Sequence, residues 1–257
     1  MKTASPLPWL GSDSPIAARI AELAPHKHVT LPMCGGLSIL PHLKAKCVVC
    51  NDLHRHAINF YHVAQGHYGE DARTHLFMRA AYTLSHPCEV EDALGILTED
   101  EDPPAHWQAW AFWAICWIGR KGMGGSSAQL KAIIPSFRKT PGGGSNATRI
   151  QSAALDLTAW ANEFKRCEFR CVDFRKVLKD ATDSEECAIY CDPPSMRAGK
   201  RYLHPFESQD HVELHLALER FEKTRIIVRY DNDQFVREMY VDWEQEVIEK
   251  EVLLWKN

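Results

Sequence analysis

A chain of 257 residues, 45% hydrophobic, 10% aromatic and 25% charged, has the composition of a soluble globular protein with a substantial core, built as one domain with an inserted lobe or as two small domains. The formal net charge of −4 excludes a generally basic surface, so a nucleic-acid partner requires a local cationic patch. The N-terminal stretch MKTASPLPWLGSDSP reads as neither signal peptide nor anchor, the most apolar run (Ala109 to Gly119) is too short to span a bilayer, and nine scattered cysteines fit a reducing compartment, the cytoplasm.

In chain order, SPIAARIAELAP places Ile16, Ile20 and Leu23 at helical spacing and predicts a helix ending at Pro25. HVTLPMCGG follows as a short strand running into the Gly35-Gly36 turn. AKCVVCND is a second buried strand, ending in Asn51-Asp52, and LHRHAINFYHVAQG is a helix closed by Gly66. Cys47 and Cys50 are three apart on that strand and point to opposite faces, so no metal site is expected; His54 to His56 read as a helix start. Together these elements describe half of a nucleotide-binding α/β sheet.

From about Tyr68 to Ser145 the composition changes. The acidic loop TEDEDPP leads into HWQAWAFWAICW, where Trp107, Trp110, Trp113 and Trp117 recur at three- and four-residue steps. The spacing predicts a helix burying one aromatic face; a platform for stacking bases is the alternative. Between Ile118 and Arg149 there is no Asp or Glu, while Arg120, Lys121, Lys131, Arg138, Lys139 and Arg149 all fall there among glycine runs. Such a segment suits phosphate contacts, and equally a solvated surface loop.

The last third returns to alternation. NATRIQSAALDLTAWANEFK predicts a helix capped by Asn146, and CEFRCVDF, CAIYCDPP and TRIIVRYD predict strands. ESQDHVELHLALERFE lies between the last two as an amphipathic helix, and EVIEKEVLLW alternates like an edge strand. Three strands end in an acid or an acid-bearing turn, at Asp52, Asp173 and Asp192, and another enters Gly35-Gly36. In an open α/β sheet the crevice outside the strand carboxyl ends binds ligands, so these four ends are expected to border one cofactor-sized site.

The order of the motifs resembles that of the alpha-group DNA adenine methylases. Pro8-Trp9-Leu10-Gly11, PMCGGLS (Pro32 to Ser38) and Asn51-Asp52 are similar to that family's opening segments, CEFRCVDF to its DF strand end, and IYCDPPS to its catalytic DPPY. RYLHPFESQDHVEL and VRYDND resemble the segments that follow. The resemblance implies a Rossmann-like S-adenosylmethionine-dependent methyltransferase sheet, residues 1–67 and 146–257, with an inserted, mainly helical DNA-recognition lobe at 68–145. It implies S-adenosylmethionine as cofactor, double-stranded DNA as partner and a monomer. Trp9, Pro32, Cys34, Gly35, Gly36, Ser38 and Leu53 would line the cofactor, Asp52 would hold its ribose, and Asp173 with Phe174 would take its adenine. Asp192, Pro193, Pro194 and Ser195 would face the target base, with Asp192 also near the cofactor. Arg120, Lys121, Arg138, Arg149, Arg197, Lys200 and Arg201 would contact DNA.

The chemistry explains the Asp-Pro-Pro motif. An adenine amino nitrogen is a poor nucleophile because its lone pair is delocalised into the ring, so acceptors must surround it. Asp192 accepts one amino hydrogen and the Pro193 carbonyl another, stabilising the positive charge that develops on nitrogen. The locked φ angles of the prolines fix that carbonyl's direction. The base must also be flipped out of the duplex and held by stacking. Ser195 stands where the family has the stacking aromatic, and Asp13 where it has a lysine. These departures keep open a binding protein without turnover; the same acceptor geometry also serves the amino group of cytosine.

Overall fold

The structure is a computed structural model that describes residues 5–9, 11–98, 102–119, 146–196, 199 and 202–257. The chain forms two compact units: Asp13–Cys34, Ile39–Leu53 and Arg166–Asn257 make the first, and Met1–Ser12, Gly35–Ser38 and His54–Lys165 the second.

The first unit is built on a seven-stranded sheet. Its strands are β1 (His28–Leu31), β2 (Cys47–Asn51), β3 (Cys167–Arg170), β4 (Cys187–Cys191), β5 (Arg225–Asp231), β6 (Glu244–Ile248) and β7 (Glu251–Lys256), in the order β3-β2-β1-β4-β5-β7-β6. The first five are parallel, and β7 inserts antiparallel between β5 and β6. Chain order runs outward from β1 to β3 on one side and from β4 to β5 on the other. The reversal between β1 and β4 is the switch point at which doubly wound α/β sheets of the Rossmann type bind ligands.

The apolar runs that predicted these strands are buried because helices cover parallel strands. On one face, Phe174 and Leu178 of α7 (Phe174–Asp180), Leu214 and Leu218 of α8 (Ser208–Glu219) and Val236 of α9 (Gln234–Met239) form a core with Ile189, Cys191, Ile226, Val228, Tyr230, Val252 and Leu254. Each fully buried aliphatic side chain there contributes about 1.5–3 kcal/mol. Glu207 and Asp210 form a reciprocal capping box that starts α8. The predicted first helix is α1 (Ala17–Leu23), which stops two residues before Pro25, with Ala24 as its C-cap.

The C-terminal run differs from its expectation as one edge strand. EVIEKEVLLW folds back at Glu249-Lys250 into β6 and β7, so β6 is the edge and β7 lies inside the sheet. Glu249 takes φ 55°, the left-handed region that non-glycine residues seldom enter, so no glycine marked the turn.

The second unit contains α2 (Arg55–Gln65), α3 (Glu70–Ala81), α4 (Pro87–Thr98), α5 (Ala105–Ile118) and α6 (Asn146–Phe164). The His54 ring caps α2 by accepting from the Ala57 N–H, and Gly66 ends it at φ 94°. In α5 the aromatic periodicity misled: every residue from Ala109 to Ile118 is buried, so no single face carries the core. Trp110 and Trp113 are core residues, Trp110 Nε1 donates to Thr83 Oγ1 at 2.8 Å and Trp117 Nε1 donates to the Pro6 carbonyl at 3.1 Å. Only Trp107, 40% exposed, is open to solvent. No helix among the described residues is long and apolar enough to cross a membrane.

Candidate active site

In the sheet unit, Asn51 draws the carboxyl ends of β1, β2 and β3 together. Its Nδ2 donates to the Pro32 and Val172 carbonyls, each at 2.8 Å, and its Oδ1 accepts from the Val172 N–H at 3.0 Å. The Cys34 N–H adds a 2.7 Å bond to the Asn51 carbonyl, and Asp52 N–H donates to the Arg170 carbonyl at 3.2 Å. Asp52 and Asp173, predicted from separate motifs, are thereby tied into one laced rim. Leu53 is exposed, and its carbonyl accepts from Cys171 Sγ. Burial holds the Cys34 thiol well above the usual range, so it is a neutral wall of the rim.

Asp173 is the N-cap of α7. Its Oδ1 accepts from the Arg175 N–H at 2.8 Å, and its carboxylate pairs with Arg175 Nη1 at 3.2 Å. Arg175 also holds Asp210 and Glu213, each at 2.5 Å. Phe174 is buried in the core, with the Phe206 ring 5.6 Å away and the Arg175 guanidinium 4.4 Å over its face.

At the end of β4, Asp192 lies on the face opposite Cys191, because side chains alternate along a strand. The β4–β5 register pairs Cys191 with Val228, so the next residues, Asp192 and Arg229, are neighbours. Arg229 Nη1 donates to both Asp192 carboxylate oxygens, at 2.9 and 3.0 Å. Burial pushes the Asp192 carboxyl up to about 7; Arg229 pulls it down, while Asp13 and Glu251 push it up. Tyr190, one alternation earlier on the same face, is buried and kept protonated by burial and by the charges of Asp192 and Asp13. Pro193 is buried, Pro194 and Ser195 are half-buried, and the Ser195 carbonyl accepts from the Gly199 N–H at 2.9 Å. Tyr202 follows this turn, and burial with the charges of Asp192 and Asp52 raises its phenol to about 12.

The other predicted cofactor residues belong to the helical unit. Gly35 takes φ 47° under the Trp9 indole, and a Cβ on Gly36 would meet the Leu7 carbonyl oxygen at 2.7 Å and Trp9 Cβ at 2.8 Å. The segment Leu7 to Trp9 therefore fills the space these glycines leave. Tyr61 Oη donates to the Gly35 carbonyl at 2.6 Å, the Ser12 and Ser38 hydroxyls are 3.1 Å apart, and His54 meets Trp9 edge-on at 5.7 Å.

Of the predicted DNA contacts, Arg120, Lys121, Arg138, Arg197, Lys200 and Arg201 lie outside the described residues. Arg149 is exposed on α6, 5.7 Å from the Trp117 ring. Sequence reasoning passed over Arg229 and the burial of Asp13. The signal was present for the first: a guanidinium inside the apolar run RIIVRYD cannot be buried unpaired. Nothing in the N-terminal segment announced that Asp13 would be only 6% exposed and act on Asp192 and Tyr190.

The doubly wound sheet places Asp-Pro-Pro at the end of β4, beside the switch point. Residues 135–254, a little under half of the chain, match the family model of the D12 class N6 adenine-specific DNA methyltransferases, a span that includes Asp173, Asp192 to Ser195 and Arg229. No curated protein matches the chain. Among solved structures, the rRNA methyltransferase aviRa from Streptomyces viridochromogenes is similar over 93% of this chain and 81% of its own, at 15% identity and a TM-score of 0.39.

Proposed function

We propose that the protein transfers the methyl group of S-adenosylmethionine to the N6 amino group of adenine in double-stranded DNA. The observation that carries this reading is the position of Asp192-Pro193-Pro194 at the carboxyl end of β4, beside the switch point and inside the span that matches the D12 class. When bound, the cofactor supplies an electrophilic methyl group on a sulfonium centre. Asp192 accepts one amino hydrogen of the target base. The Pro193 carbonyl accepts the other, and both oxygens stabilise the charge that grows on nitrogen as the methyl arrives.

The acceptor chemistry of the rim fits such a cofactor. Asp52 is a half-buried carboxylate suited to ribose hydroxyls, and Asp173 presents a partly exposed carboxylate to an exocyclic amine. Cys34, Leu53 and Phe174 complete that contact set, and Trp9, Pro32, Gly35, Gly36 and Ser38 are assigned to the methionine end. Residues 1–67 and 146–257 carry catalysis, and 68–145 read the DNA. Arg120, Lys121, Arg138, Arg149, Arg197, Lys200 and Arg201 supply the phosphate and base contacts that a net charge of −4 leaves to a local patch. The protein acts as a monomer in the cytoplasm.

Ser195 favours a second reading, binding without turnover, because it has no ring to stack on a flipped base. Incubation with isotopically labelled S-adenosylmethionine and either unmethylated duplex DNA or RNA, followed by nucleoside analysis, separates the two. Label in N6-methyladenine from DNA supports transfer; DNA binding with no label in any nucleoside supports the second reading.

A further inference from the structure

Arg229 is 7% exposed and donates to two acids. Nε donates to Glu251 Oε2 at 3.0 Å and Nη2 to Glu251 Oε1, while Nη1 reaches both oxygens of Asp192. The sheet dictates this arrangement. β5 and β7 pair Asp231 with Glu251, so Glu251 lies on the same face as Arg229, one diagonal step away. β4 and β5 bring Asp192 alongside from the other side. Glu251 takes the guanidinium edge-on and fixes its plane, which leaves Nη1 directed at Asp192.

We infer that Arg229 is a positioning residue of the methyl-acceptor site: anchored by Glu251, it holds the Asp192 carboxylate ionised and in one orientation toward the amino group it must accept. This rests on the reading of Asp192 as that acceptor. A carboxylate that takes up a proton presents a donor where the reaction needs an acceptor, one that rotates misdirects its oxygens, and burial pushes Asp192 toward the protonated form. It acts on Tyr190 of its own strand and on Tyr202 after the turn, and the charge of Asp13, ahead of α1, disfavours its own. Among the described groups that act on it, Arg229 is the one cation.

The two acids of this array give the test its signs. Arg229 lowers the proton affinity of Asp192, and Glu251 raises it. Arg229→Met is therefore expected to move the acid limb of kcat to higher pH by about one unit or more. Glu251→Gln is expected to move it to lower pH. Arg229→Lys keeps the charge without the fork, so it is expected to leave the limb near its original position while kcat falls roughly a hundredfold from loss of orientation. A salt bridge that only supports the fold, with Asp192 outside the reaction, leaves the acid limb of kcat where it is in all three variants.

The same signs are read without turnover by carbon-13 NMR of carboxyl-labelled aspartate, with the Asp192 resonance assigned from Asp192→Asn and the fold of each variant checked by thermal unfolding. If Arg229→Met does not fold, Glu251→Gln and Arg229→Lys carry the test. Opposite shifts for Arg229→Met and Glu251→Gln establish the role. An Asp192 titration that is the same in wild type, Arg229→Met and Glu251→Gln, or a rise in kcat on replacing Arg229, overturns it. A wild-type protein that methylates no adenine, yet shows the opposite shifts, overturns the proposed function and leaves the coupling of Arg229 to Asp192 standing.

Discussion

Asn51 and Val172 exchange two hydrogen bonds, Nδ2 to the Val172 carbonyl at 2.8 Å and the Val172 N–H to Oδ1 at 3.0 Å. A side-chain amide thus completes the backbone pairing that β2 and β3 abandon at Arg170, and holds the turn that leads to Asp173. Asn51→Ala strands buried backbone groups of Val172 and Pro32 and is expected to cost about 1–3 kcal/mol. Urea unfolding measures that loss, and weakened cofactor binding is expected with it, because Asp52 and Asp173 lose their common frame.

Asp192→Ala removes the proposed acceptor of an amino hydrogen. Methyl transfer is expected to fall below detection, while S-adenosylmethionine binding, measured calorimetrically, stays within about twofold because only the methyl-acceptor side of the site has changed. Asp192→Asn keeps the shape but presents an amide, and is expected to lose kcat by about a hundredfold or more.

Ser195→Tyr restores an aromatic to the position after Pro-Pro. Stacking on a base is worth about 1–3 kcal/mol, so target capture is expected to strengthen roughly ten- to a hundredfold. A fluorescent base analogue at the target position reports capture, and a rise in rate should accompany it. If the rate falls instead, another ring already occupies that place; Tyr202, held in the same field of charges, is the first to replace.

On the proposed reading, the Asp192 carboxyl, raised to about 7, gives methyl transfer a pH signature. Transfer needs the ionised form, so kcat is expected to climb with pH through a midpoint near 7 and to lose that limb in no other way than by changing Asp192 or its charged neighbours. The stability sign is opposite. A carboxyl with a folded pKa above its unfolded value of about 3.9 contributes stability below that value and loses it as pH rises toward 7. His56 and His211, lowered by burial to about 4, contribute stability above about 6.5 and lose it as pH falls through 4. Thermal unfolding of wild type and Asp192→Asn across pH 4 to 8 isolates the first contribution: the wild type should gain relative to the variant as pH falls.

The sheet was legible because each parallel strand is an apolar run closed by a polar residue: CVVCN before Asp52, CEFR before Asp173, CAIYC before Asp192. Those acids mark strand ends in sequence and strand ends in space. Gly66 likewise announced the end of α2 through the left-handed backbone it adopts. The hairpin at Glu249 was hidden because its left-handed residue is not a glycine, and α5 misled because ten consecutive buried residues leave periodicity nothing to report. The Asp192–Arg229–Glu251 array was invisible for a different reason. It joins three strands 22 to 59 residues apart in the chain, and only register brings them level. Gly35 and Gly36 were legible as glycines, but their close neighbours were not: Leu7 and Trp9 lie where a Cβ would be.

The most direct measurement is side-by-side incubation of wild-type protein and Asp192→Ala with labelled S-adenosylmethionine and unmethylated duplex DNA, followed by nucleoside mass spectrometry. N6-methyladenine formed by the wild type and absent with the variant is the predicted result. Label confined to cytosine or RNA, equal N6-methyladenine from both proteins, or no label at all would contradict it.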